Sequence, residues 1–269
     1  MPHVKANGII IRYQWDQGPG ASRASDPVVL LSNSLSSDIS MWDKQVEVLI
    51  EHGYRVLRHD ARGHGQTDAP DKPYSIEMLG EDAIGLLDAL DLNKVHFCGL
   101  SMGGMVGQYL ASTHPSRLLS ACLCATAAYL NVGDIWDERR ALVLEQGMSA
   151  IVDATLERWF TPAAKQNISR ELEAVRQGIL QTPTVGYANS CLAIRDMDLR
   201  EQIRQIDLPV MVIAGEKDPS TTVAAAEEIA AAIPAAKLSV IDGAQHLLNI
   251  EMAEQFNAIL VNFLKTNSE

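Results

Sequence analysis

Short apolar runs separated by amphipathic stretches occupy both ends of the chain. Runs of this kind are typical of strands covered on both faces, and the stretches between them place apolar residues on one helical face. Their alternation predicts a mostly parallel sheet with helices on both sides, its first strand antiparallel and at the edge. The predicted strands are 9–11, 28–31, 54–57, 95–98, 117–126, 210–214 and 237–241, and the predicted helices are 42–51, 76–90, 102–112, 222–233 and 249–265.

The pattern changes between residues 130 and 205, where helix-favouring Glu, Arg, Gln and Leu are frequent and no strand is predicted. This stretch contains two of the four tryptophans, Trp136 and Trp159. Because the strand–helix alternation resumes directly after it, we interpret it as a helical cap inserted into a core formed by residues 1–129 and 206–269. A second, independently folding domain is the alternative.

Composition and charge narrow the range of functions. The chain has 269 residues, 47% of them hydrophobic and 21% charged, which excludes disordered and fibrous classes. The net charge of −12 disfavours binding to nucleic acid and to anionic membranes. No apolar run reaches the length of a membrane span, and the first ten residues lack the features of a signal peptide. We therefore expect a cytoplasmic protein.

Four cysteines, Cys98, Cys122, Cys124 and Cys191, stand among apolar or small residues. Their spacing along the chain fits neither a disulfide framework nor a zinc site. We therefore expect buried free thiols, as in a reducing compartment.

The strongest chemical signal is the segment 99–103, Gly-Leu-Ser-Met-Gly, which directly follows a predicted strand and precedes a predicted helix. In that context the pattern G-x-S-x-G is typical of a sharp turn that exposes a nucleophilic serine, here Ser101. The backbone crowds at such a turn, so the positions of Gly99 and Gly103 must be small. A structural glycine-rich turn is the alternative interpretation.

A serine becomes a strong nucleophile only beside a base, which an acid orients. In folds with this turn the chain order is serine, acid, histidine. Of the seven histidines, His246 alone lies far enough beyond Ser101 to fit this order, and it follows a predicted strand. Asp218, after strand 210–214, is the best candidate for the acid, and its neighbour Glu216 remains open. The weaker candidates are Asp207 and Asp242.

Acyl-transfer chemistry also needs two donors for an oxyanion. The amide of Met102 is the first candidate because it opens the helix after Ser101. The second donor is expected from the loop after strand 28–31, where the amides of Ser34 and Leu35 are both candidates. An ordinary solvated loop is the alternative for this hydroxyl-rich segment.

The segment 59–65 contains His59, Asp60 and His64, which could in principle ligate a metal. We favour a structural role, with these side chains bonded to the loop backbone, because the glycines between them indicate a tight turn. No glycine-rich phosphate-binding motif is present, which disfavours a nucleotide cofactor. Acyl transfer by a serine nucleophile requires no metal or organic cofactor, and we expect none.

The order Ser101, Asp218, His246 with a helical insertion after the sixth strand resembles the α/β-hydrolase family. Within it, the chain is similar to the bacterial 3-oxoadipate enol-lactonases. The resemblance covers nearly the whole chain, and most relatives outside this group have His-Gly at Ser32-Asn33. The segments that carry it are 31–35, 41–42, 54–58, 62–65, 97–104, 158–160 and 249–251. It implies a mostly parallel eight-stranded sheet wrapped by helices.

Two positions depart from the enol-lactonase pattern. Ser36 and Ser37 replace the usual Gly-Thr, and Leu248 replaces a small polar residue two positions after the histidine. The loss of glycine at Ser36 is expected to restrict access to positive φ. Both departures lie near the expected pocket and bear on the substrate, not on the hydrolase assignment.

The resemblance implies opening of a small lactone, 3-oxoadipate enol-lactone, to the dicarboxylate 3-oxoadipate in aromatic catabolism. The alternatives are a lactonase or carboxylesterase for another small substrate, a carbon–carbon bond hydrolase, and a ligand receptor on the same fold. A dicarboxylate product requires cations or amide donors in the pocket, and the tryptophans could line it or pack inside the cap. The candidate substrate contacts are Asn33, Trp136, Trp159, Asn189 and Arg195.

Overall fold

A computed structural model describes residues 2–18 and 26–268. It contains eight strands: β1 (His3–Ala6), β2 (Ile9–Asp16), β3 (Val28–Ser32), β4 (Arg55–His59), β5 (Val95–Leu100), β6 (Leu118–Cys124), β7 (Val210–Gly215) and β8 (Ala236–Ile241). They form one sheet in the order β1-β2-β4-β3-β5-β6-β7-β8. β2 pairs antiparallel with β1 and β4, and the other neighbours are parallel. The predicted sheet is therefore confirmed.

The helices follow the predicted alternation in the core. They are α1 (Asp43–Glu51), α2 (Ile76–Ala89), α3 (Met102–Thr113), α4 (Gly133–Gln146), α5 (Val152–Trp159), α6 (Pro162–Asn167), α7 (Ser169–Gln181), α8 (Thr184–Asp196), α9 (Val223–Ala232), α10 (Leu248–Glu251) and α11 (Ala253–Lys265). The stretch predicted as one helix over 249–265 is thus divided at Met252. In the described part of the chain, no helix has both the length and the apolar character to cross a membrane.

One expectation about the sheet is wrong. The strand over 9–11 is antiparallel as predicted, but it lies inside the sheet because the short β1 covers its outer side. β1 has only four residues, and three of them are partly or fully exposed, so it lacks the apolar run that marks the other strands.

Helices α4 to α8 lie between β6 and β7, which confirms a helical insertion after the sixth strand. The boundaries of core and cap at 129/130 and 205/206 remain a prediction. Residues 1, 19–25 and 269 of the predicted core lie outside the described residues.

The parallel register brings four loops to one edge of the sheet. Ser32 pairs with Gly99 at the ends of β3 and β5, and Gly215 pairs with Ile241 at the ends of β7 and β8. The loops after these strands carry the oxyanion candidates, Ser101, Asp218 and His246, respectively. Because β3 and β5 are buried along their whole length, this edge is fixed by the core.

Candidate active site

Ser101 lies at the turn between β5 and α3 in a strained conformation, with φ 57° and ψ −113°. A non-glycine residue held in such a region costs about 1–3 kcal/mol, so surrounding contacts must enforce it. Its amide donates to the carbonyl of Cys124 at 2.8 Å, and its carbonyl accepts from the hydroxyl of Thr126 at 2.9 Å. The turn is thus held from both sides.

The glycines around Ser101 are required by close backbone contacts. A Cβ at Gly99 would lie 2.2 Å from the carbonyl oxygen of Gly103, and a Cβ at Gly103 would lie 2.2 Å from that of Ser32. The spacing G-x-S-x-G therefore has the steric cause expected of a nucleophile turn, and the alternative of an unrelated glycine-rich turn loses support.

His246 and Asp218 are in direct contact. The Nδ1 of His246 lies 2.7 Å from Oδ2 of Asp218, and both side chains are buried. Glu216, the alternative acid, is exposed and accepts instead from the amide of Gly243 at 2.8 Å. Asp218 is thus the carboxylate of the pair.

The Asp218 carboxylate is held by further donors. It accepts from the Ser220 amide at 2.8 Å and from the Thr221 hydroxyl at 2.7 Å. Burial alone would raise the pKa of Asp218, but the charge of His246 and these hydrogen bonds lower it below its ordinary value. Asp218 is therefore an anion at neutral pH and can hold the imidazole with a proton on Nδ1, which leaves Nε2 to act as a base.

Ser101 and His246 line the same cavity, of about 290 Å³, between the sheet edge and the inserted helices. Leu35 and Met105 line it from the core, and Trp136 and Trp159 line it from the cap. The Trp159 ring stacks on His246 with a centroid distance of 6.1 Å and an interplanar angle of 29°. A second cavity, of about 320 Å³ between α1 and α7, contains neither Ser101 nor His246.

The two candidate oxyanion amides of the β3 loop differ in their contacts. Both Ser34 and Leu35 line the cavity, but the Ser34 amide already donates to the Met41 sulfur at 3.3 Å. Met102 is the first residue of α3, so its amide lies at the positive end of the helix. Geometry therefore favours Met102 and Leu35 as the pair of donors. Ser36 has a φ of 60°, so a serine does adopt the conformation expected to need glycine.

Three predicted substrate contacts lie outside the cavity wall. Asn33 is buried between the His59 carbonyl and the Trp42 indole, at 2.9 Å from each. Asn189 faces Asp71 across 3.4 Å, and Arg195 forms ion pairs with two aspartates on the surface, Asp137 and Asp196. Because their polar groups are used in these contacts, the structure does not bring them to Ser101.

Two other arginines, Arg139 on α4 and Arg158 on α5, line the cavity. The Arg139 guanidinium lies 4.8 Å from the Trp136 ring centre, and that of Arg158 donates to the Thr155 hydroxyl at 3.2 Å. Within residues 2–18 and 26–268, neither guanidinium pairs with a carboxylate. Burial and the charge of Arg139 lower the pKa of Arg158. Sequence reasoning missed both residues, although Arg158 stands in a segment shared with the enol-lactonases.

The segment over 59–65 is bonded into the loop structure. Asp60 pairs with Arg12 at 3.0 Å and accepts from the amides of Ile39 and Gln66, at 2.9 Å each. The Nδ1 of His64 faces the Arg62 carbonyl at 3.1 Å. These contacts agree with the structural role that we favoured.

All four cysteines are buried free thiols, as expected. Their chain spacing gave no sign that Cys98, Cys122 and Cys124 converge, yet their sulfur atoms lie within 4.8 Å of one another in the core. The convergence arises because β5 and β6 are neighbours in register, with Cys98 opposite Cys122.

Comparison with known proteins defines the class. The family model described as alpha/beta hydrolase fold matches residues 27–253, and the chain belongs to this family. Among its curated relatives is 3-oxoadipate enol-lactonase 2 of Acinetobacter baylyi, 38% identical over 235 residues that cover 87% of each chain.

Solved structures give the same picture. The enol-lactonase from Burkholderia xenovorans matches with a TM-score of 0.94 and 40% identity, covering 98% of this chain and 100% of the other. A thermophilic esterase from Thermogutta terrifontis, solved with malate bound, matches with a TM-score of 0.90 and 27% identity over 99% of each chain. The chain is thus an α/β hydrolase that resembles enol-lactonases.

Proposed function

We propose that this protein is a serine hydrolase that opens a small, negatively charged lactone, with 3-oxoadipate enol-lactone as the first candidate. The observation that carries the proposal is one cavity lined by Ser101, by His246 and by two arginines without carboxylate partners among the described residues, with Asp218 bonded to His246. The resemblance to enol-lactonases at 38–40% identity supports the same substrate class.

In the proposed mechanism, Nε2 of His246 takes the Ser101 hydroxyl proton as the oxygen attacks the lactone carbonyl. The amides of Met102 and Leu35 stabilise the oxyanion, and Asp218 stabilises the imidazolium. The bond between the carbonyl carbon and the ring oxygen then breaks, and His246 returns the proton to the enol oxygen. The enol then tautomerises to a ketone, losing its hydroxyl proton and gaining a proton on carbon.

Water completes the reaction. His246 takes a proton from water as it attacks the acyl-enzyme ester, and the Ser101 oxygen leaves with that proton. The net change is lactone plus water to an open-chain keto acid, which carries one carboxylate more than the lactone. No step needs a metal or an organic cofactor.

The cap side of the cavity supports an anionic substrate. Arg139 and Arg158 both line it and supply positive charge. A hydrogen bond to a charged group is worth about 1.5–3 kcal/mol, so a lactone carboxylate that binds these guanidinium groups stabilises the complex.

The direct test is turnover of freshly made 3-oxoadipate enol-lactone and of p-nitrophenyl acetate by the wild type and by Ser101→Ala. We expect rapid lactone opening that Ser101→Ala abolishes. Ser112→Ala is the matched control, because Ser112 lies on the same helix and its hydroxyl donates to helix carbonyls, those of Gln108 and Tyr109.

The other outcomes separate the alternatives. Slow lactone opening with good ester cleavage would indicate an esterase or a lactonase that acts on another lactone. Turnover of neither compound by folded protein, with lactone binding retained, favours a receptor, for which turnover near ~1 per second is not expected. Cleavage of a ring-fission diketone in preference to both favours a carbon–carbon bond hydrolase.

A further inference from the structure

The loop that carries His246 is bonded to the cap on both sides of the histidine. The side-chain amide of Gln245 donates to the carbonyls of Arg158 at 2.9 Å and Glu157 at 3.3 Å. On the other side, the amide of Leu247 donates to the carbonyl of Trp159 at 3.2 Å. We call this set of contacts the histidine strap.

The strap uses carbonyls that the helix itself cannot satisfy. Helix α5 ends at Trp159, and the last carbonyls of a helix have no partner within it. Gln245 and Leu247 supply those partners, so the end of α5 and the histidine loop form one hydrogen-bonded unit. α5 is therefore attached to the catalytic loop at its own end.

The carboxylate of Glu251 adds further hydrogen bonds to the histidine strap. One oxygen of Glu251 accepts from the Gln245 amide at 2.8 Å. The other accepts from the Thr161 amide at 3.1 Å and from the Thr161 hydroxyl. Glu251 thus ties the residue before His246 to the segment that follows α5.

The same helix presents polar and aromatic groups to the cavity. Thr155, Arg158 and Trp159 all line it, and the Trp159 ring stacks on His246. The contacts above join the base and the helix that bears Arg158 in one rigid set. A shift of α5 relative to the loop would move the charge and the base apart.

We propose that Gln245 is a positioning residue that fixes His246 relative to Arg158, so that an anionic substrate held by Arg158 is aligned with the catalytic base. This inference rests on the proposed function only for its use of an anionic substrate. Misplacement of reacting groups by about 1 Å can cost about a hundredfold in rate, so the loss of one strap contact is measurable.

The test compares two esters with the same leaving group, the neutral p-nitrophenyl acetate and the anionic mono-p-nitrophenyl succinate. Gln245→Met keeps the side-chain length and removes the donor. We expect its kcat/KM to fall about tenfold more for the anionic ester than for the neutral one. In an Arg158→Met background this extra loss should disappear, because nothing then anchors the anion to α5.

Two further variants keep the test decisive. Gln177→Met is the matched control and should leave the activity on both esters unchanged, since the Gln177 side chain donates to Glu173 on the exposed face of α7. Glu251→Gln weakens the same strap more gently, should Gln245→Met fail to fold, and should show the same bias toward the anionic ester.

Equal losses on both esters would overturn the proposal, because Gln245 would then support the loop without aligning it to α5. Unchanged activity on both esters would overturn it as well. The esters report on the strap whatever the natural substrate is. A wild type that opens no lactone but shows the expected ester pattern would contradict the proposed function and leave this inference standing.

Discussion

Arginines are buried in the core and half-buried beside the cavity of the cap, and their partners differ. In the core, Arg62 makes a two-pronged contact with Asp82, at 2.7 and 2.5 Å, and Arg58 pairs with Asp16 and Asp43, at 2.7 and 2.6 Å. In the cap, Arg139 and Arg158 face the cavity and each other's charge.

This difference indicates where an anionic ligand is expected to bind. Bringing a guanidinium out of water is costly unless a carboxylate compensates it. In the core, aspartates compensate the buried guanidinium groups, so these arginines hold loops in place. The cap leaves two charges uncompensated among the described residues, and an anionic ligand is the partner that would compensate them.

The largest effect is expected from a substitution that disables the catalytic groups of the core and leaves the cap unchanged. Asp218→Asn keeps the shape of the side chain but removes the charge that orients and stabilises the His246 imidazolium. We expect kcat to fall by about 10⁴ with KM changed by no more than a few-fold. Steady-state kinetics on the lactone measures both.

Glu216→Gln is the matched control on the same loop, since Glu216 contacts only the Gly243 amide in the described structure. It should leave kcat within a few-fold of the wild type. A large loss in Glu216→Gln together with an active Asp218→Asn would reverse the assignment of the acid.

The second prediction concerns the core pair. Arg62→Met leaves the Asp82 carboxylate buried without its cation, and we expect about 3–5 kcal/mol of lost folding stability. Chemical denaturation measures it. The double variant Arg62→Met with Asp82→Leu should recover much of the loss, whereas a stable single variant would contradict the structural role of this pair.

The sequence was sufficient for seven of the eight strands and for the triad candidates, because both depend on local signals, whereas the short β1 lacks an apolar run. The turn at Ser101 is dictated by glycines within two residues of it, and the order of strands places Asp218 and His246 at the same edge. Even so, only the structure separates Asp218 from Glu216, since two residues of the same loop point in different directions.

The two tryptophans predicted as substrate contacts do line the cavity, but its arginines were beyond sequence reasoning. Arg139 and Arg140 are adjacent on α4, and helical periodicity alone does not tell which one faces the cavity. That choice depends on how the cap helices pack. Arg195 was a reasonable cation from composition, but Asp137 and Asp196 occupy its guanidinium, at 2.6 and 2.7 Å.

A third prediction tests the cap side. Arg158→Met should raise KM for an anionic lactone by about 10–100-fold, since a hydrogen bond to a charged group is worth about 1.5–3 kcal/mol. Turnover of neutral p-nitrophenyl acetate should change by less than a few-fold. Because burial and the charge of Arg139 disfavour the charge of Arg158, thermal stability should be equal to the wild type or higher.

Arg195→Met is the matched control in the cap, because its ion pairs keep it from the cavity. It should leave KM for the lactone unchanged. If KM rose for Arg195→Met and not for Arg158→Met, Arg195 would be the arginine that binds the anionic substrate, as the sequence suggested.

The last prediction separates the core from the inserted helices α4 to α8 by pH, since those helices contain no histidine. Burial lowers the pKa of His59 and of His96 to about 4, from 6.5 in the unfolded chain. Between these values the unfolded chain binds protons that the folded core does not. Stability therefore falls as the pH decreases from about 6.5 to 4, by up to about 1.4 kcal/mol per pH unit for each histidine.

His96→Gln should remove the contribution of His96 to the pH dependence of stability. The free energy of unfolding at several pH values measures it. His52→Gln, at an exposed position beyond α1, should leave the slope unchanged. The raised pKa of Asp82 acts in the opposite direction, so the difference in slope between variants is the decisive quantity. If His96→Gln and the wild type showed the same slope, burial in the core would not lower the pKa of His96. The result would contradict the contrast between the core and the cap.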